Sequence, residues 1–142
     1  MSTVKLVTVF AQNKVGQLSR ITQALALAQV NIRCVTVATT ETFGVIKLLV
    51  DQCDRAHQCL KDRGFTVSLN EVLAIEVQDQ PGGLQAAADC LARNNINVEN
   101  ASGFVSNRRA VVLIEVKDVA HARQLLAPAS LHLLTQEEML TL

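Results

Sequence analysis

The chain has 142 residues, with thirteen basic and thirteen acidic side chains and only four Phe as aromatics. Balanced charge and the lack of Tyr and Trp remove both the electrostatic footprint and the base-stacking platform of a nucleic-acid binder. No apolar run is long enough to cross a bilayer, and the start lacks the basic and apolar segments of a secretion signal. A cytoplasmic protein with no nucleic-acid and no membrane partner is expected.

In chain order, Val4 to Phe10 alternates side chains with β-branched residues dominating, which predicts a strand. From Gly16 to Ala28, Leu18, Ile21, Leu25 and Ala28 recur at helical spacing and define an apolar stripe. Strands are predicted over Ile32–Thr39 and Phe43–Val50, joined by a polar turn at 40–42 as a hairpin. A second helix over 54–63 buries Ala56 and Leu60 and stops at Gly64, followed by a short strand through Val67. The same order follows: strand 72–77, helix 82–94, strands 98–105 and 110–116, helix 119–126, strand 131–134. The tail from Thr135 to Glu138 has capping-box spacing and predicts one or two turns of helix.

The order βαββαβ occurs twice because the sequence repeats. Residues 7–68 align without a gap on residues 73–134, with eleven identities that include Gly16/Gly82, Leu18/Leu84, Leu25/Leu91 and Asn31/Asn97. The fold class expected is α+β: two ferredoxin-like repeats, 1–69 and 70–142, packed side by side with pseudo-twofold symmetry. Residues 68–71 offer no Pro/Gly/Ser linker and lead almost directly from one strand to the next.

The loop before the first helix is the same kind of object in both halves, Asn13-Lys-Val-Gly16-Gln-Leu18 and Asp79-Gln-Pro-Gly82-Gly-Leu84. Glycine at a strand-to-helix turn permits close backbone approach, and the amides of the following helix start favour an anion such as a carboxylate. Asn13 and Asp79 offer acceptor oxygens for an ammonium group, so each loop suits a zwitterion. The same residue types also serve as ordinary helix caps, and Gly is common in turns. Asn31 and Asn97, where helix yields to strand, fit the left-handed conformation that ends a helix.

Both halves resemble the ACT domain, a βαββαβ module that binds amino acids and regulates metabolic enzymes. Its signature is Asn or Asp, two residues, Gly, one residue, Leu, a helix, then Asn-Ile or Asn-Val. The first repeat is similar to the regulatory small subunit of acetolactate synthase through Asn13 to Ile21, Asn31-Ile32 and Thr36-Val37-Ala38-Thr39. The resemblance implies a ligand held at the interface of two modules by Asn13, Gly16, Asn31 and Ile32 in one repeat and Asp79, Gly82, Asn97 and Val98 in the other. It implies a regulatory, non-catalytic protein with no cofactor, an amino-acid ligand, a metabolic enzyme as partner and, by analogy, a homodimer. Ile32 and Val98 tilt the ligand toward a small or branched side chain. The alternative is a docking subunit of an amino-acid biosynthetic enzyme such as acetolactate synthase. Gly83 stands where the first repeat has Gln17, and Asp79 where it has Asn13, so the two loops need not be equal.

Catalytic and metal readings find little support. No histidine position recurs between the repeats, and no nucleophile stands with a base. Cys53, Cys59 and Cys90 align with Val119, Leu125 and Ala24, which marks them as core hydrophobes, and Cys34 aligns with Asn100. Cys53 and His57 share a helical face, but no second ligand pair exists and no metal site is expected.

Overall fold

The structure, a computed structural model, describes residues 3–142. Its elements are β1 (Val4–Gln12), α1 (Gln17–Leu27), β2 (Ile32–Thr39), β3 (Phe43–Val50), α2 (Cys53–Asp62) and β4 (Thr66–Val77). There follow α3 (Gly83–Arg93), β5 (Asn100–Ser106), β6 (Arg109–Glu115), α4 (Val119–Leu126), β7 (His132–Leu133) and α5 (Gln136–Leu140). The described residues fold as two compact units, Lys5–Asn70 and Glu71–Leu142, the latter with Thr3 and Val4.

In the first unit β3 lies between β2 and β1, antiparallel to both, and β4 stands on the other side of β1. In the second unit β6 pairs antiparallel with β5 and β4, and β7 pairs antiparallel with β4 on its far side. Both are βαββαβ ferredoxin-like sheets, which is the expected α+β class. The strands predicted to end at Val67 and begin at Val72 are one continuous twelve-residue strand. Nothing between Thr66 and Val77 breaks it: the segment contains no Gly or Pro, the residues that interrupt a ladder.

Each unit has its own apolar core on the helix side of its sheet. In the first, Val7, Val9, Ile46, Leu48 and Val50 pack with Ile21, Ala24, Leu25, Ala56 and Leu60. In the second, Leu73, Ile75, Val112 and Ile114 pack with Ala87, Cys90, Leu91, Ala122 and Leu126. Cys53 and Cys59 pack against the first core and Cys90 lies in the second, and none of the four cysteines is disulfide-bonded, so these three behave as small apolar groups. Burial pushes the thiols of Cys34 and Cys53 up, away from the thiolate form that reacts. The stripe expected on α1 holds at Ile21 and Leu25, but Leu18 is 42% exposed and its counterpart Leu84 58%. Both lie in the first turn of their helix, and burial begins one turn later.

Helix ends follow a common pattern. After α1 the amides of Gln29 and Val30 bond to the carbonyls of Ala26 and Leu25, and after α3 those of Asn95 and Ile96 bond to Ala92 and Leu91. These are Schellman closures, with Gln29 (φ 58°) and Asn95 (φ 56°) in the left-handed conformation. The left-handed residue is thus two positions before the shared Asn31 and Asn97, which do not terminate the helices as expected. The chain ends in a capping box: the Glu138 amide donates to the Thr135 hydroxyl and the Thr135 amide to the Glu138 carboxylate. Met139 on that short helix is buried.

Leu25 is fully buried at the centre of the first core. Its replacement by Ala is expected to cost about 2–5 kcal/mol in urea denaturation, by lost transfer energy and the cavity left behind. A loss below about 1 kcal/mol would contradict the packing described.

Candidate functional site

Gly16 and Gly82 are the caps of α1 and α3, with φ of 92° and 87°, and neither helix receives a side-chain cap. Asn13 and Asp79 therefore do not cap the helices. The Arg20 amide bonds to the Gly16 carbonyl and the Ala86 amide to that of Gly82, which starts each helix. The amides of Leu18 and Ser19, and of Leu84 and Gln85, have no partner among the described residues. Two unpaired donors at a helix start, with the positive end of the helix dipole, make a seat for a carboxylate.

The flanking acceptors differ. The Asn13 amide donates to the Thr42 carbonyl at 3.0 Å and its side-chain nitrogen to the Thr40 carbonyl at 2.8 Å. Asn13 thus ties the loop to the β2–β3 turn, and its side-chain oxygen remains an open acceptor. Asp79 is exposed and unbonded among the described residues, so its carboxylate is available in full. Gly83 explains why the second loop departs from the first: a Cβ at that position would collide with the Gln78 carbonyl oxygen. The loop folds inward there, with the Gln80 amide bonded to Gln78 and that of Gly83 to Gln80.

Beside each loop lies a cavity lined by aligned residues. The first, of about 270 Å³, is lined by Lys14, Gln17, Arg20, Arg63 and Phe65 among others, with three cations and no carboxylate. The Arg20 guanidinium bonds to Gln17 at 2.9 Å and stands 5.2 Å from the centre of the Phe65 ring, a cation–π distance. The second cavity, of about 450 Å³, is lined by Glu76, Gln78, Gln80, Gly82, Gly83 and Ser130 among others, and no cation lines it. The expected site residues did not include Lys14, Arg20 or Arg63. Their one signal in the sequence is that they align with Gln80, Ala86 and Ala129, a difference between repeats rather than a shared motif.

The signature does not close into one site within a repeat. Gly16 precedes α1, whereas Asn31 and Ile32 follow it, and eleven helical residues set the two ends about 16 Å apart. Gly82 and Asn97 stand in the same relation across α3. A single amino acid cannot bridge that span, so the two halves of the signature in one repeat serve different places. Ile32 begins β2 as expected and is half-buried. Val98 does not begin a strand, because β5 starts only at Asn100. The Asn31 amide donates to the Asp51 carboxylate at 2.9 Å, and its carbonyl accepts from the Asp51 amide. The aligned residue in the second repeat is Lys117, which holds Asn97 by no such bond, and the strand frays there.

Near the second loop, Arg109 makes a two-pronged bond to Glu76 at 2.8 and 2.9 Å. His132 bonds to Glu138 at 3.2 Å and approaches Glu76. The Arg109 hydrogen bond holds the Glu76 carboxyl below its ordinary range, and the Thr135 amide, followed by His132, does the same for Glu138. Among the described residues no cluster of His, Cys, Asp and Glu fits a metal ion.

Two outcomes follow from this geometry. Gly16→Ala and Gly82→Ala meet no neighbouring atom and pay only for the left-handed backbone, about 1–2 kcal/mol each in denaturant melts, whereas Gly83→Ala should cost more because backbone must move. A Gly83→Ala variant milder than the other two would contradict the loop geometry. Because the folded pKa of Glu76 is lowered, its pairing stabilises the fold above the ordinary carboxylate range and is lost as pH falls through the folded value. Glu76→Gln should therefore flatten the fall in melting temperature below about pH 4.5; an unchanged acid profile would count against the pair.

Comparison with known proteins agrees with this architecture. A family model described as an ACT domain pair matches residues 2–142. No curated protein matches the chain. Among solved structures, protein BT0572 from Bacteroides thetaiotaomicron is similar, with TM-score 0.91 and 26% identity over 99% of this chain and 97% of that one. The regulatory subunit of aspartate kinase from Thermus thermophilus, in ligand-free form, shares the fold with TM-score 0.63 and 15% identity, covering 92% of this chain and 94% of that one. That from Thermus flavus does so with TM-score 0.61 and 13% identity over 88% of each chain. With the duplicated signature, the two ferredoxin-like units and a family match across nearly its whole length, the chain belongs to the ACT domain pair family.

Proposed function

We propose that this protein is a non-catalytic, amino-acid-binding regulator whose ligand carboxylate sits on the free amides that follow Gly16 or Gly82. The observation that carries the reading is the left-handed glycine at the start of the first helix of each repeat, with unpaired amides at Leu18 and Ser19 and at Leu84 and Gln85. In the first repeat the Asn13 oxygen takes the ammonium, and Lys14, Arg20 and Arg63 reinforce the pull on the carboxylate. In the second, Asp79 takes the ammonium with a full charge. Charge-assisted bonds of this type contribute about 1.5–3 kcal/mol each, enough for two or three to support micromolar binding. Since the Asn31-Ile32 and Asn97-Val98 ends lie a helix length away, their contribution goes to a ligand held against another module's glycine loop. That is the sense in which the proposed ligand lies where two modules meet, in one chain or in a homodimer.

A metabolic enzyme reads the occupancy if the ligand binds one arrangement of the modules better than another. Regulatory subunits of aspartate kinase share the fold, which supports a role beside an amino-acid enzyme of the cytoplasm. The aliphatic character of Ile32 and Val98 favours a small or branched ligand. A second reading, a docking subunit such as that of acetolactate synthase, draws on exposed apolar side chains of a strand rather than on the loops: Val35 and Val37 on β2 are both exposed.

The test is thermal melting in the presence of each of the twenty amino acids. A ligand at a hundredfold excess over its Kd stabilises by about 2.7 kcal/mol, which raises the melting temperature by several degrees in a chain of this size. Asn13→Ala and Asp79→Ala together should abolish the rise. A flat response across all twenty at millimolar concentration rejects sensing and leaves docking.

A further inference from the structure

The first repeat carries a cluster of cations that its copy lacks. Lys14 from the loop after β1, Arg20 from α1 and Arg63 at the end of α2 line one cavity of about 270 Å³, and no carboxylate lines it. All three are exposed, so a soluble ion can reach them. Arg20 is already positioned, since its guanidinium donates to the Gln17 side-chain oxygen at 2.9 Å and lies 5.2 Å from the centre of the Phe65 ring. Lys14 and Arg63 have no side-chain partner among the described residues. Asp62, next to Arg63 in the chain, accepts instead from Gln58 at 2.7 Å. Other arginines do find carboxylates: Arg93 that of Asp89, and Arg109 that of Glu76. Like charges gathered without a counter-charge repel one another, and an anion from outside relieves them.

The fold does not require this arrangement. Lys14, Gln17, Arg20, Arg63 and Phe65 align with Gln80, Gly83, Ala86, Ala129 and Leu131, and the second repeat builds the same helices and strands with no cation lining its cavity. The cluster is therefore an addition to the shared signature rather than part of it. We propose that this cavity binds the phosphate monoester group of a small metabolite. A monoester near its doubly charged form offers three acceptor oxygens, which suits three converging cations better than the single charge of a carboxylate. A guanidinium fork grips two such oxygens at once, and Arg20, held at two points beforehand, loses little freedom in doing so. A cavity of this volume falls short of those that hold drug-sized ligands, so the body of the ester is limited to a few carbon atoms. The inference goes beyond the amino-acid reading, in which these cations only reinforce a carboxylate on the Gly16 amides. It stands whether or not an amino acid binds there.

The experiment is titration of the isotope-labelled full chain, in phosphate-free buffer of fixed ionic strength, with glycerol 3-phosphate, succinate and AMP, followed by the side-chain Nε–H resonances of Arg20 and Arg63. Glycerol 3-phosphate should move both and bind about tenfold or more tightly than succinate, a dianion with no phosphoryl group. AMP should bind no more tightly than glycerol 3-phosphate. Arg20→Ala and Arg63→Ala, each installing the residue type that the second repeat has at the aligned position, should each weaken binding about tenfold or more. If an alanine variant does not melt as a folded protein, Arg20→Lys or Arg63→Lys keeps the charge, removes the fork and should still weaken binding severalfold. The proposal is overturned if glycerol 3-phosphate leaves both arginine resonances in place, if succinate matches it, if AMP far exceeds it, or if the folded variants bind as tightly as the parent. An amino acid that raises the melting temperature alongside any of those results would leave the sensing reading standing, so the two fail separately.

Discussion

A positive φ at the residue that opens a helix is a demand that only glycine meets without strain, and this chain makes it twice, at Gly16 and Gly82. Because the cap residue has no side chain, no side chain among the described residues reaches back to the amides of Leu18 and Ser19 or of Leu84 and Gln85. At two other helices the chain does satisfy such groups. Asp118 caps α4, and Thr135 with Glu138 forms a full capping box on α5. α2 also lacks a side-chain cap, so what sets the two glycine turns apart is a left-handed glycine ahead of unpaired amides, a backbone that an anion can approach closely.

Duplication fixes the scaffold and frees the details. The two repeats share cores built on Leu25 and Leu91, both buried, and on closures with Gln29 and Asn95 at matching positions. They part company at the surface. Phe10 and Phe43, 42% and 45% exposed, align with Glu76 and Arg109, which form an ion pair. Three cations beside the first loop align with Gln80, Ala86 and Ala129. The Asp51 brace aligns with Lys117 and an open cavity. Each contrast is a charge or bond present in one copy and absent from the other, so the two halves present different chemistry at aligned positions.

Much of this was legible in the residues because it rests on local rules. The strands over Ile32–Thr39 and Phe43–Val50 and the helix over 119–126 follow from alternation, helical period and polar breaks, and the structure has the same bounds. The glycine turns were visible because a strand-to-helix glycine recurs at one offset. What escaped depends on tertiary context. Leu18 and Leu84 fit a helical stripe, but period alone does not say where along a helix the core begins. Val98 reads as strand by its side chain, yet β5 starts later because no residue takes the role of Asp51. Gly83 looks like a neutral difference until the Gln78 carbonyl is seen beside it.

The most direct test of the central claim is a crystal structure with the amino acid that most raises the melting temperature. The account predicts its carboxylate within hydrogen-bond distance of the amides of Leu18 and Ser19, or of Leu84 and Gln85. A ligand bound elsewhere, with those amides still facing solvent, would contradict it.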